Sequence, residues 1–528
     1  MSKKVILGYE GRKKLINGVN TLSDAVKVTL GAKGRNVIIG DQYGNIRVTK
    51  DGVSVAQSIV LEDNTENMGA SLIKEVASKT VDVSGDGTTT ATILAQAIIN
   101  YGIKAVESGC NPVDLKRGID NAVIQIVQNL KDISKPIDND DSLKHIASVS
   151  ANNDSVIGEL IASAISKVGR DGLITVEESK SYDTKINIVE GMKIDRGYLS
   201  HHFITNEAKM ECELINPYIL ICDKKISVMN DVLSFLEKAA KENRPLLIIA
   251  EDLDGEALAT LIVNKMRGII QVCAIKSPDF GDNRKFIMED ISLLVNGTFV
   301  SEEKGTRLDS CDLEVLGEAA KVIINKDNCI IIGGAGSRDN IDNRCKVIKT
   351  QIADSDSEFQ KEKLKSRLAK LKNGIAVLSI GGVTETEIRE KKDRIEDALC
   401  ATRSAIEEGF VSGGGTAYLN AIKKLILDSS NDDENIGMSI IKKALESPFR
   451  QLLFNGGVEP SYYINQINDA EYGIGFNIKT NTLENLFDSG IIDPTKVVRV
   501  ALENAASIAS IFLTTECVIS EKNKEDEN

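Results

Sequence analysis

Ahead of the apolar pattern "ATILAQAII" the chain reads Gly-Asp-Gly-Thr-Thr-Thr, residues 85–90. A helix start leaves its first backbone N–H groups without partners, and one capping side chain is enough to serve the turn. Here Gly85 and Gly87 loosen the backbone, Asp86 brings a carboxylate, and Thr88, Thr89 and Thr90 bring hydroxyls. Backbone amides, hydroxyls and a helix N-terminus suit an anionic oxygen ligand, phosphate above all. Asp86 is also the kind of hard oxygen ligand that Mg²⁺ takes. The plainer alternative is an elaborate N-cap.

Three other segments carry related chemistry. "TLGAKGRN", residues 29–36, is a Gly-rich basic turn after a helix, where a helix C-cap is the simpler reading. "TKDGVS", residues 49–54, sets Lys50 and Asp51 before a glycine, as a hairpin turn would. "SGGGTAYLNA", from Ser412, opens a helix with a triple glycine, which allows close approach of a ligand or of another helix. No G-x-x-x-x-G-K-[ST] occurs, so none of these is a Walker P-loop. "GGAG", residues 333–336, lacks a full dinucleotide fingerprint and reads as a loop.

These segments must be held by a larger scaffold. The chain has 528 residues, enough for two to four domains, with 42% apolar and 27% charged residues, a soluble globular balance. Aromatics are scarce and Trp is absent, so the core must be aliphatic. A net charge of −14 argues against nucleic acid as a partner. No apolar run approaches a membrane span and the start "MSKKVILGYEGRKK" has no signal-peptide h-region, so neither membrane nor secretion is expected. Nine scattered cysteines without a C-x-x-C pair read as free thiols in a reducing compartment: the cytoplasm, or an organelle matrix such as plastid stroma or mitochondrial matrix. The first 130 residues are mainly helical, and "EKNKEDEN" ends the chain as a solvated tail. From about residue 190, strand-like runs ("YILICD", "PLLIIAED", "KVIINK") alternate with helical patterns, and from 408 helices return. Helical, mixed, α/β, mixed, helical is the texture of nested insertion, with the two chain ends forming one domain.

Taken in order, "TLGAKGRNV", "TKDGVSVA", "GDGTTTATILAQAI", "NPVDLKRGID", "VEGMKIDRGYLS", "GEALATLIVN", "EKKDRIEDAL", "EEGFVSGGGTA" and "DPTKVVRVALENAASIA" resemble the group I, GroEL-type chaperonins over essentially the whole chain. The resemblance implies a multi-domain α/β and α fold. Its parts are a mainly helical equatorial ATP-binding domain (1–132 and 408–528), a small intermediate hinge domain (133–189 and 375–407) and an α/β apical domain (190–374). It implies an ATPase using ATP, Mg²⁺ and K⁺. Thr29, Leu30, Gly31, Ala32 and Lys50 would line the nucleotide, and Asp86, Gly87, Thr88, Thr89 and Thr90 the phosphates, with Asp86 on the metal. Gly414, Asn477, Ile478, Lys479 and Asp493 would complete the base and ribose side. Asp397 would be the catalytic carboxylate, supported by Asp51. A carboxylate on a hinge segment would couple hydrolysis to closure.

The apical helices are legible on physical grounds too. Leu233 and Leu236 stand three residues apart, and Leu258, Leu261 and Ile262 share helical spacing, so two apolar faces either form a groove or are core. By resemblance Tyr198, Phe203, Leu233, Leu236, Leu258, Ile262 and Val263 bind non-native polypeptides, and the same surface takes a GroES-type co-chaperonin. The implied assembly is a homo-oligomer of two stacked heptameric rings that encloses clients for folding; the alternative is a hydrolysis-deficient binding protein. The chain departs from the family at Ala32, where proline is usual, at His202, where an aromatic is usual, and at Ile478 and Lys479, where small residues are usual. The tail also lacks Gly-Gly-Met repeats.

Overall fold

The computed structural model describes residues 3–521, apart from 41–45, 138–142, 145, 149–150, 152–153, 171, 180–182, 208, 302, 304, 307, 309–310, 312, 355–356 and 373, and apart from the side chains of 282, 313, 358–359, 362, 385–386 and 389. The chain divides into two compact units: Met1–Ala162 with Asp393–Asn528, and Ser163–Lys392. The division falls inside the helices Ser155–Val168 and Glu385–Glu408, within the segments expected to form a hinge.

The first unit is a helical body. Its helices are α1 (Gly8–Lys27), α2 (Gly52–Ser58), α3 (Asn64–Ser84), α4 (Thr88–Glu107) and α5 (Pro112–Ile133). After the return crossing come the part of α6 (Glu385–Glu408) from Asp393 onward, α7 (Thr416–Ile422), α8 (Asp432–Ala444), α9 (Ser447–Asn455), α10 (Pro460–Asp469) and α11 (Thr495–Leu513). Their inner faces form one aliphatic core around Val19, Leu22, Ile73, Leu94, Ile98 and Ile119. Backbone proximity drives this packing at one crossing: a Cβ on Gly18 would meet the Glu66 carbonyl oxygen at 1.8 Å, and one on Gly69 the Leu15 oxygen at 2.1 Å. Only glycines let α1 and α3 sit this close.

Short strands finish the unit, and most were hidden among sequences read as helical. Lys3–Leu7 pairs antiparallel with Cys517–Glu521, joining the two ends. Val37–Gly40 pairs antiparallel with Ile46–Thr49. Phe410–Ser412 pairs with Ile492–Pro494, and Ile474–Asn477 with Thr482–Asn485.

The second unit is α/β. An eight-stranded sheet runs Val272–Lys276, Leu246–Ala250, Tyr218–Cys222, Gly317–Ile324, Cys329–Gly334 and Gly191–Ile194, with two short strands paired off that path. The first three are parallel and in register, Leu246 lying between Tyr218 and Val272. Their central residues are buried, which is why they read as unbroken apolar runs. Helices Leu233–Lys241 and Gly255–Met266 are the crossovers between them. Gly333 and Gly334 of "GGAG" end a strand of this sheet instead of lying wholly in a loop. A separate three-stranded sheet sets Ile375–Ile380 between Leu173–Glu178 and Lys185–Val189. All nine cysteines are free thiols. Among the described residues no helix is long and apolar enough to cross a membrane.

Candidate functional site

The Gly-Asp-Gly-Thr-Thr-Thr segment joins α3 to α4. Gly85 (φ 74°) closes α3 in the left-handed region, and Gly87 (φ 90°) opens α4 the same way. Both conformations favour glycine. No side chain caps α4. Asp86 instead accepts a hydrogen bond from the Gly87 amide at 2.5 Å, leaving the amides of Thr88, Thr89 and Thr90 at an uncapped helix start.

Four other pieces of the unit close on this loop. The first is the turn after α1: Thr29 Oγ1 lies 3.5 Å from Thr89 Oγ1, and Thr29 also donates to the Val26 carbonyl. The second is the start of α2, where a Cβ on Gly52 would sit 2.5 Å from Thr89 Oγ1. Asp51 is the N-cap of α2, accepting from the amides of Val53 (3.1 Å) and Ser54 (2.9 Å). The third is α6. Cys400 fills the space a Gly85 side chain would need, and Ser404 donates to the Ser84 carbonyl at 2.9 Å. Asp397 stands one turn before Cys400 on that helix. The fourth is the strand pair Phe410–Ser412 and Ile492–Pro494, which sets Asp493 opposite Val411. Asp493 accepts from the Gly414 amide. Gly414 (φ 63°) has open space on its Cβ side, and Val497, just beyond Asp493, packs on Gly87.

Four carboxylates thus converge on this loop. No ion pair reaches Asp51, Asp86, Asp397 or Asp493 among the described residues. Asp86 and Asp397 keep solvent-accessible surface while dense protein surrounds them, the signature of a cleft. Burial raises the Asp397 carboxyl to about 7, helped by the charges of Asp86 and Asp51. Burial likewise raises Asp493 to about 7, with Asp86 adding to it and the Gly414 amide opposing. Asp86 is raised by burial and by Asp51, against the pull of the Gly87 amide. Carboxylates held this close together create a strong demand for a cation. Among the described residues no three acidic, His or Cys side chains form a metal site of their own. A divalent ion would therefore need oxygens from a ligand as well, the usual habit of Mg²⁺ beside phosphates.

The remaining expected contacts are set less directly. Leu30 turns its carbonyl to Asn455 Nδ2 at 3.0 Å, while Gly31, Ala32 and Lys50 are exposed. Gly31 rests on Leu452. Asn477 and Ile478 are buried. Asn477 spends its amide on Glu484 (2.6 Å) and its oxygen on the Lys479 amide (2.9 Å), and Ile478 packs on Gly456. Only Lys479 of this trio is exposed. Asn455, Cys400 and Ser404 position the loop and the turn, and no sequence signal marked them.

In the second unit the apolar faces separate into core and surface. Phe203 (0% exposed) and Leu236 (7%) are core, so their side chains do not face a client here. Leu233 (42%) and Val263 (44%) are exposed, with Met266 and Ile269 beside Val263 in the chain. Tyr198, Leu258 and Ile262 are half-buried against the same core. His201 Nδ1 and Tyr198 Oη approach to 3.3 Å.

The chain matches the TCP-1/cpn60 chaperonin family over residues 22–523. Among solved structures it is similar to the chaperonin gp146 from the bacteriophage EL 2 (Pseudomonas aeruginosa), crystallised in the presence of ATP-BeFx. The two share 22% identity and a TM-score of 0.69, over 98% of each chain. The fold is a chaperonin fold throughout, and on the family match the chain belongs to the TCP-1/cpn60 chaperonin family, whose role is that of chaperones in protein folding.

Proposed function

We propose that this chaperonin is an ATPase that binds non-native polypeptides and promotes their folding in a ring cavity. The observation that carries the reading is the convergence of Asp51, Asp86, Asp397 and Asp493, without ion-pair partners among the described residues, on the uncapped start of α4. An ATP polyphosphate fits this arrangement. The Thr88–Thr90 amides and hydroxyls would bind its oxygens, Asp86 would hold Mg²⁺, and Gly414 leaves room beside Asp493 for the nucleoside. Mg²⁺ would supply charge neutralisation at the phosphates. K⁺ would suit the same surplus of carboxylates. Asp397, on α6 beside Asp86 and Asp51, would orient the attacking water and accept its proton, with Asp51 fixing the neighbouring turn.

Leu233 and Val263, with Tyr198, Leu258 and Ile262, offer the apolar face for clients and for a GroES-type co-chaperonin. Assembly into two stacked seven-membered rings rests on the resemblance to the GroEL-type chaperonins, and the apolar, open-edged strand ribbons of the first unit would suit contacts between copies. The free thiols suit the cytoplasm or an organelle matrix. The test is steady-state ATP turnover of the purified protein beside Asp397→Ala. Slow turnover nearly lost in the variant supports the reading; no turnover with client binding intact supports a hydrolysis-deficient binder.

A further inference from the structure

Three of the nine cysteines meet inside the second unit. Cys212 opens the strand Cys212–Ile215, Cys273 lies in Val272–Lys276 and Cys329 opens Cys329–Gly334; all three are fully buried. A buried cysteine alone is an ordinary small apolar residue. Here the Cys273 thiol donates a hydrogen bond to the Cys212 sulfur, and the Lys265 ammonium favours charge on both. Burial pushes the thiols of Cys222, Cys329, Cys345 and Cys400 up. Cys212 goes the other way: the Cys273 S–H holds it below the usual thiol value, against burial and with help from Lys265. Cys329 stands too far off to compete. It and Cys212 lie opposite Ile324 on its two sides. Two such neighbours hold their Cα atoms about 9–11 Å apart, beyond the ~7 Å that a disulfide spans.

Cys212 and Cys273 also close a loop. At its start the Leu199 amide donates to the Ala274 carbonyl at 3.0 Å, and Tyr198 bridges to Ile275. At its end Cys212 meets Cys273. Between them runs the turn His201–Phe203, with the Phe203 ring in the core. Lys265 Nζ donates to the His202 and Ile204 carbonyls, both at 2.7 Å, so the lysine that faces the two thiols also holds this turn.

We propose that Cys212 and Cys273 are a reversible peroxide-oxidised pair, whose disulfide staples the loop of residues 200–211 to the strand Val272–Lys276. The Cys212 thiolate attacks the O–O bond of a hydroperoxide; its sulfur becomes a sulfenic acid and an alcohol, or water, leaves. The Cys273 sulfur attacks that sulfur, the S–S bond forms, and the sulfenic oxygen leaves as water. Two electrons pass from the sulfurs to the peroxide, and the two thiol protons end on the departing oxygens. A dithiol reductant reverses the bond by exchange, as suits a transient disulfide in a reducing compartment. Both sulfurs are buried, so oxidation waits on local opening of the loop, and the disulfide then opposes that opening and keeps Phe203 in the core. The bond needs neither client nor nucleotide, so its failure would leave the ATPase reading untouched.

Hydrogen peroxide, with a metal chelator present, is the probe on the full-length assembled protein. Thiols are then blocked, and non-reducing peptide mapping and hydrogen exchange are read. A peptide linking Cys212 to Cys273 should form and vanish with dithiothreitol, and the amides of residues 200–211 should exchange severalfold more slowly while it persists. Cys329→Ala should keep the link. Cys273→Ala should lose it and leave Cys212 as a sulfenic acid that dimedone traps. Cys212→Ala should leave Cys273 a thiol. Should either variant fail to fold, the map of the parent still decides. Free thiols at both positions after the exposed Cys517 has been oxidised overturn the proposal. A Cys212–Cys329 link overturns the pairing, and a Cys212–Cys273 link that leaves exchange unchanged overturns the staple.

Discussion

Gly85 and Cys400 are in van der Waals contact across the loop and α6: a Cβ on Gly85 would lie 2.4 Å from the Cβ of Cys400 and 2.9 Å from its sulfur. The loop that ends in Thr88–Thr90 and the helix that carries Asp397 therefore share one surface. Gly85→Ala must adopt φ 74° and push α6 away at once. We expect it to cost roughly 1–3 kcal/mol of stability and to lower ATP turnover more than nucleotide affinity. Thermal unfolding and a kcat-against-KM comparison check this. Unchanged kcat would mean that α6 can shift without moving Asp397.

The pH response of the ligand-free protein follows from the carboxylate cluster. An unfolded chain releases the Asp397 proton near 3.8, whereas the folded chain keeps it to about 7. Asp493 behaves alike. Folding therefore takes up protons between those values. The contribution of these groups to stability falls as pH rises from about 4 to about 7 and is flat above that. With nucleotide absent and divalent ions chelated, Asp397→Asn should melt above the parent at pH 8, and the gap should narrow towards pH 4. A variant that melts lower at pH 8 would show that Asp397 is held by favourable partners, against the uncompensated charge found here.

Asp86→Asn separates ligand binding from folding. It removes one member of a mutually repelling group, so the ligand-free protein should be as stable as the parent or more so. It should also lose the stabilisation that saturating ATP–Mg²⁺ confers, about 2.7 kcal/mol at a hundredfold excess over Kd. Melting curves with and without ATP–Mg²⁺ read both effects. An undiminished nucleotide shift would place the metal on another carboxylate.

How far the sequence could be read depended on whether a residue's role was local. The turn at residues 85–90 was legible because left-handed glycines, an acid and helix-start threonines all act within six positions. The parallel strands of the second unit were legible because burial on both faces writes an unbroken apolar run. The strands that hold Asn477 and Asp493 were not, because each is three or four residues long and exists only through its partner strand, the next one in the chain for Asn477 and a distant one for Asp493. Val411 fixes Asp493 from 82 positions away, and no local pattern reports that. Burial was ambiguous for the same reason. Leu233 and Leu236 have the same chemistry and helical spacing, yet the surrounding fold exposes one and buries the other.

That last distinction is testable in the client face. Leu233→Ser and Val263→Ser should leave stability within about 0.5 kcal/mol and weaken suppression of client aggregation severalfold. Phe203→Ala should instead cost roughly 3–5 kcal/mol and lower the melting temperature of the second unit. Light scattering of an aggregating client and thermal unfolding, run on all three, separate the two classes. Loss of binding in a fully stable Phe203→Ala would show that this ring leaves the core to meet clients.

Assembly has its own signature in the first unit. The ribbon Val37–Gly40 and Ile46–Thr49 has only two strands, with Ile38 69%, Ile46 73% and Val48 57% exposed. The ribbon made by the two chain ends shows Val5, Leu7 and Ile519 in the same way. A two-stranded ribbon is marginal alone, and its free edges and apolar side chains invite a further strand. Pairing the hairpin of one copy with the terminal ribbon of the next would cover both and propagate around a ring. Val48→Asp puts a charge into that seam without touching the core of the copy that carries it. It should shift the protein from rings to single chains in sedimentation, with the helical circular-dichroism signal kept. Rings that persist would mean that these ribbons are not the seam, and that subunits meet through another face.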